Sequence, residues 1–215
     1  MKFGFMVLPR SLEETRAVAA AGEAYGFDWI SVADSPTVYQ ESYLHQLEVA
    51  RTAPSVHIGP MTSHVVVRHP VIVANLLATL NEFTDGRAIG TVATGNSAAR
   101  GLGLKPARLS ELGQAVEAIQ SYWRGEGGDF KESRIPATGL ERRACPLLVA
   151  ADGPKAAELA GRVGDGLLYG GKWIPRSAAA GSPRPASAAT ARAGSRRPSR
   201  CARATRRCAR TSAPW

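Results

Sequence analysis

Short apolar runs alternate with longer amphipathic stretches along the first 171 residues of the chain. The runs are rich in Val, Ile, Leu and Phe and are bounded by Gly, Pro, Asp or Ser, which is typical of buried strands. The stretches between them repeat apolar residues every three or four positions, as amphipathic helices do. This alternation predicts repeated βα units. The predicted strands are residues 2–8, 27–33, 56–63, 88–94, 147–151 and 166–169.

Local signals mark where the predicted helices begin and end. Ser11 followed by Glu14 is a capping-box pattern, and Gly26 comes directly after the same helix. Pro70 and Pro154 suit the first turn of two further helices, because proline lacks an N–H that the first turn leaves unbonded. The predicted helices are residues 11–25, 41–52, 70–83, 110–124 and a helix that starts at Pro154.

The order of these elements predicts an α/β fold. Strands that are connected through helices run parallel, and a sheet of this kind closes on itself in the (β/α)8 TIM barrel. The Gly-rich and polar segment 125–144 is predicted to be irregular. We therefore predict an incomplete (β/α)8 TIM barrel of about six βα units over residues 1–171.

The charge of the chain is divided at Gly171. Residues 1–171 contain 16 of the 27 Lys and Arg residues and all 18 Asp and Glu residues, whereas residues 172–215 contain 11 basic residues and no acidic ones. This C-terminal tail consists almost wholly of Ala, Arg, Ser, Pro, Thr and Gly, a composition that buries too little apolar surface to fold. We predict a low-complexity, disordered basic tail that is separate from the barrel domain.

The tail has two interpretations. As an evolved basic arm it would bind nucleic acid through pairs such as Arg196-Arg197. The interpretation that we favour is a shifted reading frame or an altered terminus beginning near Lys172, because GC-rich DNA read out of frame encodes this composition. Trp173 and Trp215 stand at the two ends of the tail, so no aromatic residues alternate with the basic ones to stack on bases. We therefore expect no nucleic-acid partner.

Cysteine content and hydropathy bear on the compartment. The three cysteines, Cys145, Cys201 and Cys208, are too few and too irregularly spaced for a disulfide framework or a zinc site. No apolar run reaches the roughly 18 residues that a membrane span needs. We expect a cytoplasmic protein with no metal site and no membrane association.

Candidate binding residues follow the predicted strands. In TIM barrels the active site lies at the carboxyl ends of the strands, so the residues that end each apolar run are the candidates. Glycines at these ends let a ligand approach the backbone, and a helix that starts after Asn96 would present N–H groups to an anion. These features predict a rim for a flat, phosphorylated cofactor. The candidates are Met6 to Pro9, Asp34-Ser35, Met61 to His64, Thr94 to Ser97, Asp152-Gly153 and Gly170-Gly171.

Several segments, taken together, carry a family resemblance. They are Ala33-Asp34-Ser35, Ile58 to His64 followed by Arg68-His69-Pro70, Asp85-Gly86-Arg87, Thr94-Gly95-Asn96, Leu109 to Gly113, Val149 to Lys155 and Gly164-Asp165-Gly166. In this order and spacing, over residues 2–171, they resemble the bacterial-luciferase-like monooxygenase superfamily. The Asp34-Ser35 pair and the Gly-Pro run before Arg-His-Pro are most similar to its deazaflavin-dependent branch, typified by methylenetetrahydromethanopterin reductase.

The resemblance implies a TIM barrel whose mouth holds coenzyme F-420, a deazaflavin, or alternatively FMN. It implies a non-prolyl cis peptide bond at Met61-Thr62 behind the ring, a homodimer, and hydride transfer between the cofactor and a small organic substrate, which the protein orients and shields from water. The residues expected along the ring are Asp34, Thr62, Ser63 and His64. Those expected near the ribityl and phosphate groups are Gly95, Asn96, Gly153, Gly170 and Gly171.

Three functional hypotheses stay open from the sequence. The first is a deazaflavin-dependent oxidoreductase. The second is an FMN-dependent monooxygenase of the same fold. The third is a truncated, non-catalytic flavin-binding protein, because the last two strands of the family's barrel have no counterpart here and two strand edges would be open. Met6 and Asn96 stand where the reductases have acidic residues, so we assign no catalytic residue.

Single residues also have alternative roles. Asp34 either contacts the cofactor or caps the turn after its strand, and His64 either contacts the cofactor or is a hydrogen-bonded histidine of the rim. His69 is predicted to be structural, since it precedes a helix and can bind backbone groups there. Arg87 is predicted to pair with Asp85 or Glu82 at the base of the barrel.

Overall fold

The computed structural model describes residues 1–170 of the chain. The strands in this range are β1 (Gly4–Val7), β2 (Trp29–Val32), β3 (His57–Pro60), β4 (Ser63–His64), β5 (Gly90–Ala93), β6 (Gly128–Phe130), β7 (Ser133–Ile135), β8 (Leu147–Ala150) and β9 (Gly166–Leu168). The helices are α1 (Leu12–Ala24), α2 (Ser42–Thr52), α3 (Pro70–Phe83), α4 (Ser97–Gly101), α5 (Leu109–Trp123) and α6 (Pro154–Val163). The Gly171 candidate and the predicted tail lie outside the described residues.

Parallel strands form the frame of the barrel. β1, β2 and β3 pair in that order, and β4, β5, β8 and β9 pair in a second parallel sheet. Ile58 of β3 joins the two sheets through a parallel bridge to Ala88, and its carbonyl accepts the amide of Ile89 at 2.8 Å. β3 and β4 together make one barrel strand, which is interrupted at the Met61-Thr62 peptide bond; this bond is cis, as the resemblance implied. The predicted α/β barrel architecture is confirmed, with six parallel barrel strands in residues 1–170.

The helix ends follow from the local sequence as predicted. The hydroxyl of Ser11 accepts the amide of Glu14 at 3.1 Å at the start of α1. The side chain of His69 caps α3, because its Nδ1 accepts the amide of Val71 at 3.3 Å and Pro70 occupies the first turn. The structural role predicted for His69 is therefore confirmed.

The core lies between the helices and the outer face of the barrel sheet. The strand residues on this face have no exposed surface; they are Ile30, Val32, Ile58, Val92, Leu147 and Val149. Within residues 1–170, β1 pairs only with β2 and β9 only with β8. Met6 on the inner face of β1 and Leu167 on β9 are each 45% exposed. Both edges of the described sheet thus leave apolar side chains open to solvent.

The segment 125–144, predicted to be irregular, contains regular structure. β6 and β7 form an antiparallel hairpin in which Gly128 lies opposite Ile135. Phe130 and Ile135 are buried in the core beside α5. The prediction was wrong here because each strand has only three residues, too few for an alternation of apolar and polar positions to stand out.

The partner predicted for Arg87 was also wrong. Its guanidinium donates to the carbonyl of Val56 at 2.6 Å, while the carboxylate of Asp85 accepts from Arg143 at 2.9 Å. Arg87 therefore fastens the base of the barrel through backbone oxygens of the turn between α2 and β3, which sequence spacing alone does not reveal.

Among the helices of residues 1–170, none has the length and apolar character needed to cross a membrane.

Candidate functional site

The carboxyl ends of the barrel strands bring most of the candidate residues to one edge of the sheet. Val32 lies beside Pro60 in the register of β2 and β3, and His64 beside Ala93 in that of β4 and β5. Ala150 and Leu168 are paired in the same way at the ends of β8 and β9. The residues that follow these positions therefore share the mouth of the barrel, as parallel strand topology requires.

A buried ion-pair cluster lies directly behind this mouth. The carboxylate of Asp34, 3% exposed, accepts Nε of Arg68 through Oδ2 and Nη2 through Oδ1, each at 3.1 Å. The same Nη2 donates to both carboxylate oxygens of Glu41 at 2.9 Å. Arg68 thus lies between carboxylates from the end of β2 and the N-terminus of α2, and its planar guanidinium forms the two-point contact that arginine makes best with a carboxylate.

A chain of hydroxyl groups extends this cluster into α2. The hydroxyl of Ser63 donates to Oδ2 of Asp34 at 3.1 Å, and the hydroxyl of Tyr43 lies 2.8 Å from that of Ser63. Serine has a single hydroxyl proton, so Tyr43 must be the donor to Ser63. Burial raises the pKa of Tyr43, and the nearby Asp34 carboxylate raises it further, which keeps the phenol protonated. The hydrogen bonds therefore run in one direction, from Tyr43 through Ser63 to Asp34.

Thr62 and His64 are the partly exposed polar side chains of the interrupted strand. Their Oγ1 and Nδ1 atoms are 3.5 Å apart. Burial lowers the pKa of His64, and the negative charge of Asp34 opposes this effect in part. A neutral imidazole can donate one hydrogen bond and accept another. Together with the neighbouring hydroxyl, it can therefore bind a ligand that carries both donors and acceptors.

Gly95 follows β5 in a conformation that favours glycine, with a φ of +84°. A Cβ atom there would lie 3.3 Å from Val66 and 3.4 Å from the Cβ of His64, so the backbone of this turn packs close to the candidate strand. Asn96 is exposed, and its Oδ1 accepts Nε of Arg100 at 3.0 Å. The helix after it, α4, has only five residues, so its dipole is weak.

Gly153 and Gly170 lie at the ends of β8 and β9. A Cβ atom on Gly153 would meet nothing within 4 Å, and the residue is exposed. The amide of Gly170 donates to Oδ1 of Asp152 at 3.2 Å, which ties the two strand ends together. This corner leaves open space beside Gly153.

The mouth of the barrel combines polar side chains with open space. The Thr62 hydroxyl and the His64 imidazole offer hydrogen bonds at one side of the mouth, and the glycine strand ends leave room at the other. No group of three His, Cys, Asp or Glu side chains within residues 1–170 is placed to hold a metal ion. Two of the predicted ring contacts, Asp34 and Ser63, are buried and bonded to other protein groups.

Sequence reasoning missed the residues that hold this site in place. Tyr43 and Glu41 lie on or beside an ordinary amphipathic helix, and in the sequence Arg68 stands out only as part of the Arg-His-Pro run. One signal was available for Arg68: an arginine directly after the apolar run Val65 to Val67 needs a counter-charge if it is buried, and Asp34 follows the neighbouring strand. The helix register that brings Tyr43 to Ser63 has no such signal.

The sequence profile of the family described as luciferase-like monooxygenase matches residues 1–213. The chain belongs to this family. The resemblance predicted from the strand-end motifs is therefore confirmed. A curated relative, the F420-dependent glucose-6-phosphate dehydrogenase of Nakamurella multipartita, is 28% identical over 188 residues, which cover 78% of this chain and 56% of that protein. The chain spans about half the length of the curated relatives it matches.

Solved structures of other proteins share this fold. The coenzyme F420 dependent tetrahydromethanopterin reductase of Methanopyrus kandleri matches with a TM-score of 0.70 at 20% identity, covering 78% of this chain and 55% of that one. The oxygenating constituent of 3,6-diketocamphane monooxygenase from Pseudomonas putida, solved in complex with FMN, matches with a TM-score of 0.62 at 16% identity, covering 75% and 55%. At these identities the similarity is one of fold.

Proposed function

We propose that this protein is an oxidoreductase that transfers a hydride between the deazaflavin coenzyme F-420 and a small organic substrate. The observation that carries the proposal is the mouth of the barrel, where the Thr62 and His64 side chains stand beside glycine strand ends in a member of the luciferase-like family. The F420-dependent relative adds support for the deazaflavin over other cofactors.

The residues would divide the binding of the cofactor between them. Thr62 and His64 would hydrogen-bond the polar edge of the ring, and the backbone at Gly95, Gly153 and Gly170 would lie along the side chain and phosphate. Asp34 and Ser63 would support the neighbouring residues without contacting the cofactor, since their polar atoms already bind Arg68 and Tyr43. F-420 itself, when bound, supplies the carbon that gives or accepts the hydride, so the protein contributes orientation and exclusion of water.

Titration of the purified protein with F-420 and, in parallel, with FMN tests the proposal. Absorbance and fluorescence report binding without any assumption about the substrate. We expect saturable binding of F-420 at micromolar concentrations and weaker binding of FMN. Binding of neither cofactor would overturn the proposal and would favour a non-catalytic protein.

An FMN-dependent monooxygenase is the second candidate. It is supported by the FMN complex of a structural neighbour, because the same fold holds either cofactor and the mouth described above offers no contact that only a deazaflavin would use. Tighter binding of FMN than of F-420, together with oxygen consumption by the reduced complex, would favour this function.

A further inference from the structure

The guanidinium of Arg68 contacts two carboxylates but reaches neither Thr62 nor His64 through a hydrogen bond. Its side chain is 16% exposed, and the side chains of Asp34 and Glu41 are 3% and 41% exposed. It is therefore the cation that compensates the buried Asp34, and a buried carboxylate of this kind requires such a partner.

Contacts lead from Arg68 to the interrupted strand. Asp34, held by Arg68, accepts the hydroxyl of Ser63, and Ser63 stands between Thr62 and His64 in the sequence. On the other side, Tyr43 binds Ser63 through its hydroxyl, and its ring centre lies 5.3 Å from the guanidinium carbon of Arg68. Ser63 is thus fixed by two groups that Arg68 contacts.

We infer that Arg68 is a positioning residue that sets the placement of Thr62 and His64 through Asp34, Ser63 and Tyr43. The inference deepens the proposed function and rests on it for the role of Thr62 and His64. Arg68 itself is not a catalytic residue, since its Nε and Nη2 groups are directed to carboxylates. Through the same contacts, Asp34 helps to position Thr62 and His64 and does not itself contact the cofactor ring.

Substitutions of Arg68, which binds Asp34, and of Tyr43, which binds Ser63, test this inference. Arg68→Lys keeps the positive charge but cannot make the planar two-point contact with Asp34. Tyr43→Phe removes one hydroxyl and keeps the ring, so the core stays filled. Arg16→Lys is the matched control, because Arg16 forms an ion pair with Glu48 at 2.7 Å between α1 and α2, outside the site.

Two measurements separate positioning from general stability. The first is the dissociation constant for F-420. The second is the NMR signal of the His64 ring in the cofactor-free protein, identified by its loss in His64→Gln. We expect Arg68→Lys and Tyr43→Phe to weaken F-420 binding by about tenfold, as the loss of one buried hydrogen bond would. We also expect both to shift the His64 signal, while Arg16→Lys changes neither.

An unchanged His64 signal and unchanged F-420 affinity in Tyr43→Phe would overturn the inference, even if Arg68→Lys does not fold. A His64 signal that shifts equally in Arg16→Lys would also overturn it, because the effect would then not be specific to this cluster. If the unsubstituted protein binds no F-420, the proposed function fails, and the cofactor-free NMR signal still decides whether Arg68 positions His64.

Discussion

The backbone of Gly59 in β3 lies against the carbonyl oxygen of Ile89, so closely that a Cβ atom at position 59 would overlap this oxygen. The contact occurs where the two parallel sheets of the barrel meet, next to the hydrogen bond from the amide of Ile89 to the carbonyl of Ile58. A side chain at position 59 would therefore push the two sheets apart.

Gly59→Ala is expected to destabilise the protein strongly, by more than about 3 kcal/mol, because the backbone oxygen cannot move aside as a side chain would. Gly161→Ala is the matched control. Gly161 lies in α6, where a Cβ would meet nothing within 4 Å, so alanine there should stabilise the helix by about 0.5 to 1 kcal/mol. Urea denaturation measures both. A Gly59→Ala protein as stable as the unsubstituted one would contradict the sheet contact described here.

Asp34→Ala should lower the free energy of unfolding by about 3 kcal/mol, since it leaves the largely buried Arg68 with only the more exposed Glu41 as a counter-charge. Arg16→Gln breaks an ion pair whose arginine side chain is 52% exposed, and it should cost less than about 1 kcal/mol. Denaturation at low and high salt compares the two. Equal losses at the two sites would show that the Asp34 pair is no more important than a surface contact.

Cys145 should resist alkylation in the folded protein. Its side chain is buried, and burial raises the pKa of the thiol to about 12, so the reactive thiolate is scarce at pH 8. Peptide mass spectrometry after iodoacetamide treatment should find Cys145 unmodified under native conditions and modified after unfolding in guanidinium chloride. Rapid modification of the native protein would mean that β8 opens readily at its start.

His64 should make stability depend on pH near neutrality. Because burial lowers the pKa of His64 in the folded state, the unfolded chain binds the proton more readily, and the free energy of unfolding should fall as pH drops through about 6.5. A shift of one pKa unit corresponds to about 1.4 kcal/mol. His45 also has a lowered pKa, so His64→Gln should reduce this loss without removing it. Urea denaturation at pH 7.5 and pH 5.5 compares the two proteins; an identical loss of stability in both would argue against a partly buried, neutral His64.

Much of the fold could be predicted because its determinants are local. The helix that begins at Pro70 and ends at Phe83 has the predicted bounds, since a first-turn proline and continuous apolar periodicity fix them. The hairpin of β6 and β7 could not be predicted, because its apolar residues matter only once they pack beside α5. The partner of Arg87 could not be predicted either, since backbone carbonyls carry no sequence signal.

The sequence by itself determined the order of the βα units, the strand ends that carry the candidate site, and the family. These depend on residue periodicity and on short motifs, which are properties of neighbouring positions. Only the tertiary structure decided which candidate side chains are already bonded to other protein groups. Asp34 and Ser63 are, because Arg68 and Tyr43, from other elements, occupy their polar atoms. Packing brings together hydrogen-bond partners that lie far apart in the chain, and a local sequence pattern does not show which residues will meet.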